Sequence, residues 1–193
     1  MVAIYPPRPR NAEATKAAIL AAARGRFARG SYDTVGLREI AADAGVDPAL
    51  ISRYFGSKED LFAAVLSRPE KIARINALFV GDIDTLAERV ADMILDEPDD
   101  ETTVEDFLIM LNSIASTTAS HMVRATIFER CDRPVTAMLE GGHAEIRARL
   151  LGALIVGHIM NKTMWGDLAE DADTRRRLHA RIREQVRLSL SEL

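Results

Sequence analysis

The chain has 193 residues, long enough for one or two helical domains but with a single cysteine, Cys131, which rules out an internal disulfide and makes a reducing cytosol the expected compartment. Its net charge of −4 conceals an asymmetry: residues 1–58 carry nine bases against five acids, net +4, and the remainder is −8. A positive end on an acidic body points that end at a polyanion and argues against a protein that coats polyanions throughout its length.

The first residues, MVAIYPPRPRNAEA, lack the apolar stretch of a signal peptide. Tyr5-Pro6-Pro7-Arg8-Pro9-Arg10 reads as an extended basic tail, which elsewhere lies along a nucleic-acid backbone or enters a minor groove. A helix is expected over residues 12–29, with Ile19, Ala23 and Phe27 on one stripe and Leu20 beside it. Gly25 inside it costs about 1 kcal/mol relative to alanine, and a close helix crossing would account for it. Gly30 ends the helix.

Residues 36–58, GLREIAADAGVDPALISRYFGSK, are the most informative stretch. Leu37, Ile40, Ala41 and Ala44 fall on one helical face, and Gly45 stops that helix by supplying a left-handed cap. Val46 plugs the turn. Asp47 stands at an N-cap position and Pro48 at the first helical position, where its missing N–H costs nothing. The short helix that follows turns Ile51 and Phe55 inward and Ala49, Leu50, Ser52, Arg53 and Tyr54 outward. Ser57 caps the next helix, with Asp60 completing a loose capping box. Helix, glycine turn and short helix form the helix-turn-helix pattern of a DNA reader.

Residues 14–66, and in particular AILAAARGRF, REIAADAGV and YFGSKEDLF, resemble the N-terminal domain of the tetracycline-repressor (TetR) family over about fifty continuous residues. The resemblance implies an all-α regulator in which residues 1–56 bind DNA and residues 57–193 form a ligand-responsive, dimerising body. It implies double-stranded operator DNA, a second copy of the chain and a small apolar effector as partners, with no cofactor. On the matching positions, Arg38 reads a base early in the first helix of the motif. Leu50 and Arg53 enter the major groove, leucine suiting a thymine methyl and arginine the O6 and N7 of guanine. Tyr54 and Lys58 hold phosphates, and small Ala49 beside Pro48 allows close approach. Two departures stand out. Gly36 occupies a cap position where the family often has threonine or serine, so a hydroxyl contact is lost, with Thr34 as a substitute. Ser52 stands where an aromatic is common.

Beyond residue 58 the helix is expected to weaken at Pro69, with a new one over residues 70–79 and a boundary at 81–85. Helices over 86–96, 104–116 and 120–139 follow, the acidic run 96–101 forming an exposed loop and Pro134 bending the last. Residues 144–165 become apolar all round between Leu150 and Met160, as in a helix buried centrally or sandwiched against a partner. Ala148, Gly152 and Val156 or Gly157 leave room for close approach there. That run is too short for a bilayer, which needs about 20 residues, so no membrane partner is expected. The final helix, 174–190, carries Leu178, Ile182, Val186 and Leu190 on one stripe. With the preceding helix it is the expected dimer seam.

No strand-like alternation, nucleophile turn, Walker loop or dinucleotide fingerprint occurs, and His121, His143, His158 and His179 have no metal-ligand spacing. An enzyme is therefore not expected. His158 is expected to bond a backbone carbonyl. Met93, Phe107, Met110, Met122, Phe128 and Trp165 are the candidates for an effector cavity. A helical ligand-binding protein without DNA binding is the alternative. Exposed Arg53, Tyr54 and Lys58 weigh against it, and the acidic body weighs against a non-specific architectural protein.

Overall fold

The computed structural model describes residues 9–97, 100–167, 169 and 171–192, and these are helical throughout, with short connections. The basic tail up to Arg8 and two residues of the acidic loop, Pro98 and Asp99, lie outside the described residues. The helices are α1 (Pro9–Arg29), α2 (Leu37–Asp43), α3 (Pro48–Phe55), α4 (Lys58–Leu66), α5 (Pro69–Leu78), α6 (Leu86–Leu95), α7 (Glu101–Ser113) and α8 (Thr117–Ile127). A π turn (Phe128–Asp132) leads into α9 (Arg133–Met138), followed by α10 (Ala144–Trp165) and α11 (Ala172–Leu190). The chain divides into two compact units, one of residues up to 67 with 105–123, the other of residues 68–104 with 124 onward.

In the first unit the expected stripe is buried: Ile19, Ala23 and Phe27 of α1 meet Ile40, Ile51, Leu61 and Phe62. Phe55 is only half-buried at its margin, where Val46 also packs. α4 adds Leu61, Phe62 and Val65 to this core, so by packing the unit extends past the boundary expected after residue 56. A second addition comes from far along the chain. Ile109 and Ala119 are buried in the same core. Arg24 on α1 pairs with Glu105 at 3.2 Å and Asp106 at 2.9 Å. The Asn112 amide donates to the carbonyls of Ala28 (2.8 Å) and Phe27 (3.3 Å), which the end of α1 leaves without helical partners. The Ser116 hydroxyl bonds Asp33 at 3.1 Å.

Gly25 does not mark a helix crossing: the three atoms nearest a Cβ built there belong to Arg29 of the same helix, the closest at 3.1 Å.

In the second unit α6 buries Leu86, Val90 and Ile94 against Ile182, Val186 and Leu190 of α11 and Ala148 and Leu151 of α10. Arg183–Glu88 (2.5 Å), His179–Asp92 (3.0 Å) and Arg175–Asp96 (2.5 Å) flank the α6–α11 packing. Pro69 starts α5 at its first position after Ser67 closes α4, as the proline requires. Pro134 acts differently from the expected bend. It has no N–H for the carbonyl of Arg130, and the helix widens into the π turn just before it, where Arg133 N–H donates to the carbonyl of Phe128.

α10 is not buried on all sides. Leu151 is buried, while Ile146, Leu150 and Val156 are each 40 to 49% exposed. Gly152 and Gly157 have open space where a Cβ would stand. Arg147 is buried, and its guanidinium donates to the carbonyls of Leu190 and Glu140, capping the end of α11 and the loop before α10. No helix among the described residues is long and apolar enough to cross a membrane.

Candidate nucleic-acid interface

The geometry of α2 and α3 follows from their ends. Gly45 adopts φ +65°, and Val46 N–H returns to the carbonyl of Ala41, so α2 stops cleanly. The Asp47 carboxylate accepts from Ala49 N–H at 2.8 Å, and Pro48 follows at the first position. Gly56, at φ +87°, releases the chain toward the Ser57 cap. There the Ser57 hydroxyl accepts from Asp60 N–H and the Asp60 carboxylate accepts from Ser57 N–H, both at 3.0 Å. Gly36 caps α2, and its N–H donates to Glu39 at 3.0 Å, so the Glu39 side chain closes half of a capping box. Thr34, the substitute hydroxyl, donates to the carbonyl of Ser31 at 3.0 Å and remains exposed.

Arg38, Pro48, Ala49, Ser52 and Arg53 are exposed around these two helices. Leu50 and Tyr54, expected outward, are half-buried and pack on the core, leaving only their outer edges accessible. Neither Arg38 nor Arg53 has a salt-bridge partner among the described residues. The acids close by are already engaged. Asp43 takes a two-pronged contact from Arg26, at 2.5 and 2.7 Å, and the Arg26 hydrogen bond holds its carboxyl below the ordinary carboxylate range. Glu39 lies 3.8 Å from the same guanidinium. Hydrogen bonds from Ser57 lower Asp60 in the same way. This face therefore offers two uncommitted guanidiniums beside carboxylates already engaged by other partners, a hydroxyl, and a small-residue surface.

Two residues absent from the sequence reading join it. Lys16 of α1 stands 5.9 Å from the centroid of the Tyr54 ring, and the Lys58 ammonium sits 4.4 Å from that of Tyr32. Tyr32 comes from the loop between α1 and α2, too far in sequence from Lys58 for local pattern to connect them.

The effector candidates are divided between the two units. Phe107, Met110 and Met122 belong to the first unit and Met93, Phe128 and Trp165 to the second. Met93 and Met122 pack on their respective cores, whereas Phe128 and Trp165 are 50% and 68% exposed. None of the six lines the groove of about 490 Å³ among α6, α10 and α11, whose floor is Ile94, Leu154, Leu178 and Ile182. His158 lies in its wall, bonded to the Gln185 side chain at 2.9 Å and not to a backbone carbonyl, because α11 brings the amide alongside.

A three-helix reader with an exposed recognition helix, carried on a helical body, defines a helix-turn-helix regulator class. Residues 19–65 match the family described as bacterial regulatory proteins, tetR family, and residues 84–187 match the tetracyclin repressor-like C-terminal domain. The chain belongs to the TetR family of bacterial regulatory proteins. An HTH-type transcriptional repressor of Streptomyces coelicolor is 44% identical over 59 residues, 31% of each chain, so the match spans about a third of that curated relative. The structure of NalD, the secondary repressor of the MexAB-OprM multidrug efflux pump in Pseudomonas aeruginosa, is similar at TM-score 0.66 and 20% identity, over 91% of this chain and 97% of that one. SmeT in its triclosan complex is similar at TM-score 0.66 and 22% identity, over 92% and 90%.

Proposed function

We propose that the protein represses transcription in the cytoplasm by binding a palindromic operator as a two-fold dimer, and that a small, mostly apolar effector releases it. The observation that carries the DNA half is the pair Arg38 and Arg53, exposed beside carboxylates that Arg26 and Ser57 already engage. Arg53 on the recognition helix reads guanine, Leu50 offers its exposed edge to a thymine methyl, and Arg38 and Ser52 add contacts. Lys58 and Tyr54 hold phosphates, with Gly36, Pro48 and Ala49 keeping the backbone close to the duplex. In this reading residues 1–56 supply every base contact and residues 57–193 the dimer seam and the switch.

The dimer reading rests on α10, where Ile146, Leu150 and Val156 are exposed and Gly152 has open space where a Cβ would stand. A second copy of α10 and α11 would cover that surface, and a two-fold dimer requires matching half-sites. The effector reading is supported by the α6–α10–α11 groove, whose volume suits one small molecule, and by triclosan in SmeT. A ligand releases DNA only through differential affinity for two states, and operator must then weaken ligand binding by the same factor.

The test is selection of bound duplexes from a random-sequence pool by the purified protein. Recovery of an inverted repeat is expected, and triclosan is the first probe for release from it. Recovered duplexes without common sequence would overturn the reading in favour of non-specific binding. Failure to retain any duplex, with triclosan still bound, would favour the ligand-carrier alternative.

A further inference from the structure

We propose that Tyr32 is a positioning residue for DNA binding: its ring holds the Lys58 ammonium at the reading face without neutralising it. This rests on the reading of Lys58 as a phosphate contact. Lys58 occupies the first position of α4, where the positive end of the helix dipole repels an ammonium and where an acid is the favoured residue. A basic side chain in that place breaks a local rule, which is characteristic of a functional position. Besides the attraction of the neighbouring Glu59, the compensating contact among the described residues is the Tyr32 ring at 4.4 Å.

The ring itself is fixed. Tyr32 is buried and packs on Phe27 at 5.9 Å and edge-on to Phe62 at 5.2 Å, both buried in the core. The contrast with Arg26 shows what an aromatic contact achieves. Arg26 is held by carboxylates and brings no net charge to the surface. A ring quadrupole attracts a cation from one side and leaves its full charge facing outward. Lys58 thus arrives at a phosphate with its charge intact and fewer rotamers to lose on binding. Burial, and secondarily Glu59, push the Tyr32 phenol up to about 12, so the ring stays neutral at any pH used for binding. Tyr32→Phe keeps the ring and removes only the hydroxyl, which interacts with Glu59, so it is the control for the ring itself.

The experiment is a double-mutant cycle on full-length protein, read as affinity for a mixed-sequence DNA duplex across a salt series. Lys58→Ala is expected to flatten the salt slope by about two units, one for each protomer of the proposed dimer. Tyr32→Leu is expected to weaken binding about two- to fivefold, the size of an exposed cation–π contact. It is expected to have no further effect in the Lys58→Ala background, and Tyr32→Phe should bind like the parent. Equal weakening by Tyr32→Leu in both backgrounds, or none in either, would overturn the proposal. An unchanged slope in Lys58→Ala would remove the phosphate contact itself. Should Tyr32→Leu unfold, the Lys58 ε-methylene proton shifts of the native protein decide. Ring-current displacement that persists with DNA bound supports the proposal, and random-coil shifts overturn it.

Discussion

Arg147 provides the most quantitative test of the structure. Its guanidinium is buried, has no carboxylate at salt-bridge distance among the described residues, and gives its donors to backbone carbonyls at Leu190, Glu140 and Gly142. Leu190 ends α11, so its carbonyl has no helical partner and depends on this side chain. Hydrogen bonds from a charged donor contribute about 1.5–3 kcal/mol each, and two well-placed acceptors, Leu190 and Glu140, are at stake. Relief of the desolvated charge offsets part of that, and the vacated volume adds to it, so Arg147→Ala is expected to cost about 3–5 kcal/mol. For a chain of this size that lowers Tm by roughly 10 °C. Arg147→Lys keeps a charged donor group and should cost least, and Arg147→Met fills the space but orphans the carbonyls, falling between. Calorimetry at matched protein concentration is the assay, because the proposed dimer would make Tm concentration-dependent. If Arg147→Met melted with the parent, the carbonyls would have water as a sufficient partner and the reasoning would fail.

Arg53→Ala is expected to cost about 1–3 kcal/mol in operator affinity and to relax preference at one base pair per half-site, measured by titrating single-substituted duplexes. An unchanged preference would mean that another face reads the DNA. Leu150→Arg should convert dimer to monomer in sedimentation, since it places an unpaired charge in the proposed seam. Leu154 is the poorer site for that test because it packs on its own core and lines the groove. Asp43 gives a pH prediction: its folded pKa is depressed by Arg26, so its stabilisation is present above the ordinary carboxylate range and lost as pH falls through the lowered value. The stability deficit of Asp43→Asn in urea should therefore be full at neutral pH and vanish in strong acid. A deficit unchanged down to that range would contradict the ion pair.

The features legible in the sequence were those decided within a few residues. Gly45, the Asp47–Pro48 pair and the Ser57–Asp60 box each depend on local backbone chemistry, and each is formed as read. The stripe Ile19–Ala23–Phe27 was legible because helical period dictates its face. What escaped was non-local. Ile109 and Ala119 join the reader's core from more than forty residues beyond α4, and no periodicity names the core that a stripe enters. His158 finds Gln185 and not a carbonyl because two helices happen to run side by side. Phe128 and Trp165 were assigned to a cavity on residue type alone, and residue type does not determine facing. Leu50 and Tyr54 sit between the two classes: a short helix has too few residues to separate an outward position from a marginal one.

The contribution of residues 105–123 to the reader's core bears on how such proteins exchange parts. A recombination crossover between residues 67 and 105 would import a foreign reader while leaving the native plank, with Glu105, Asp106, Ile109, Asn112 and Ser116, to meet it. The incoming chain would need an arginine where Arg24 stands, an acid where Asp33 stands, and a hollow shaped for Ile109. A chimera that carries residues 9–67 and 105–123 together is expected to keep that core intact, whereas one that carries the leading segment alone is expected to sever it.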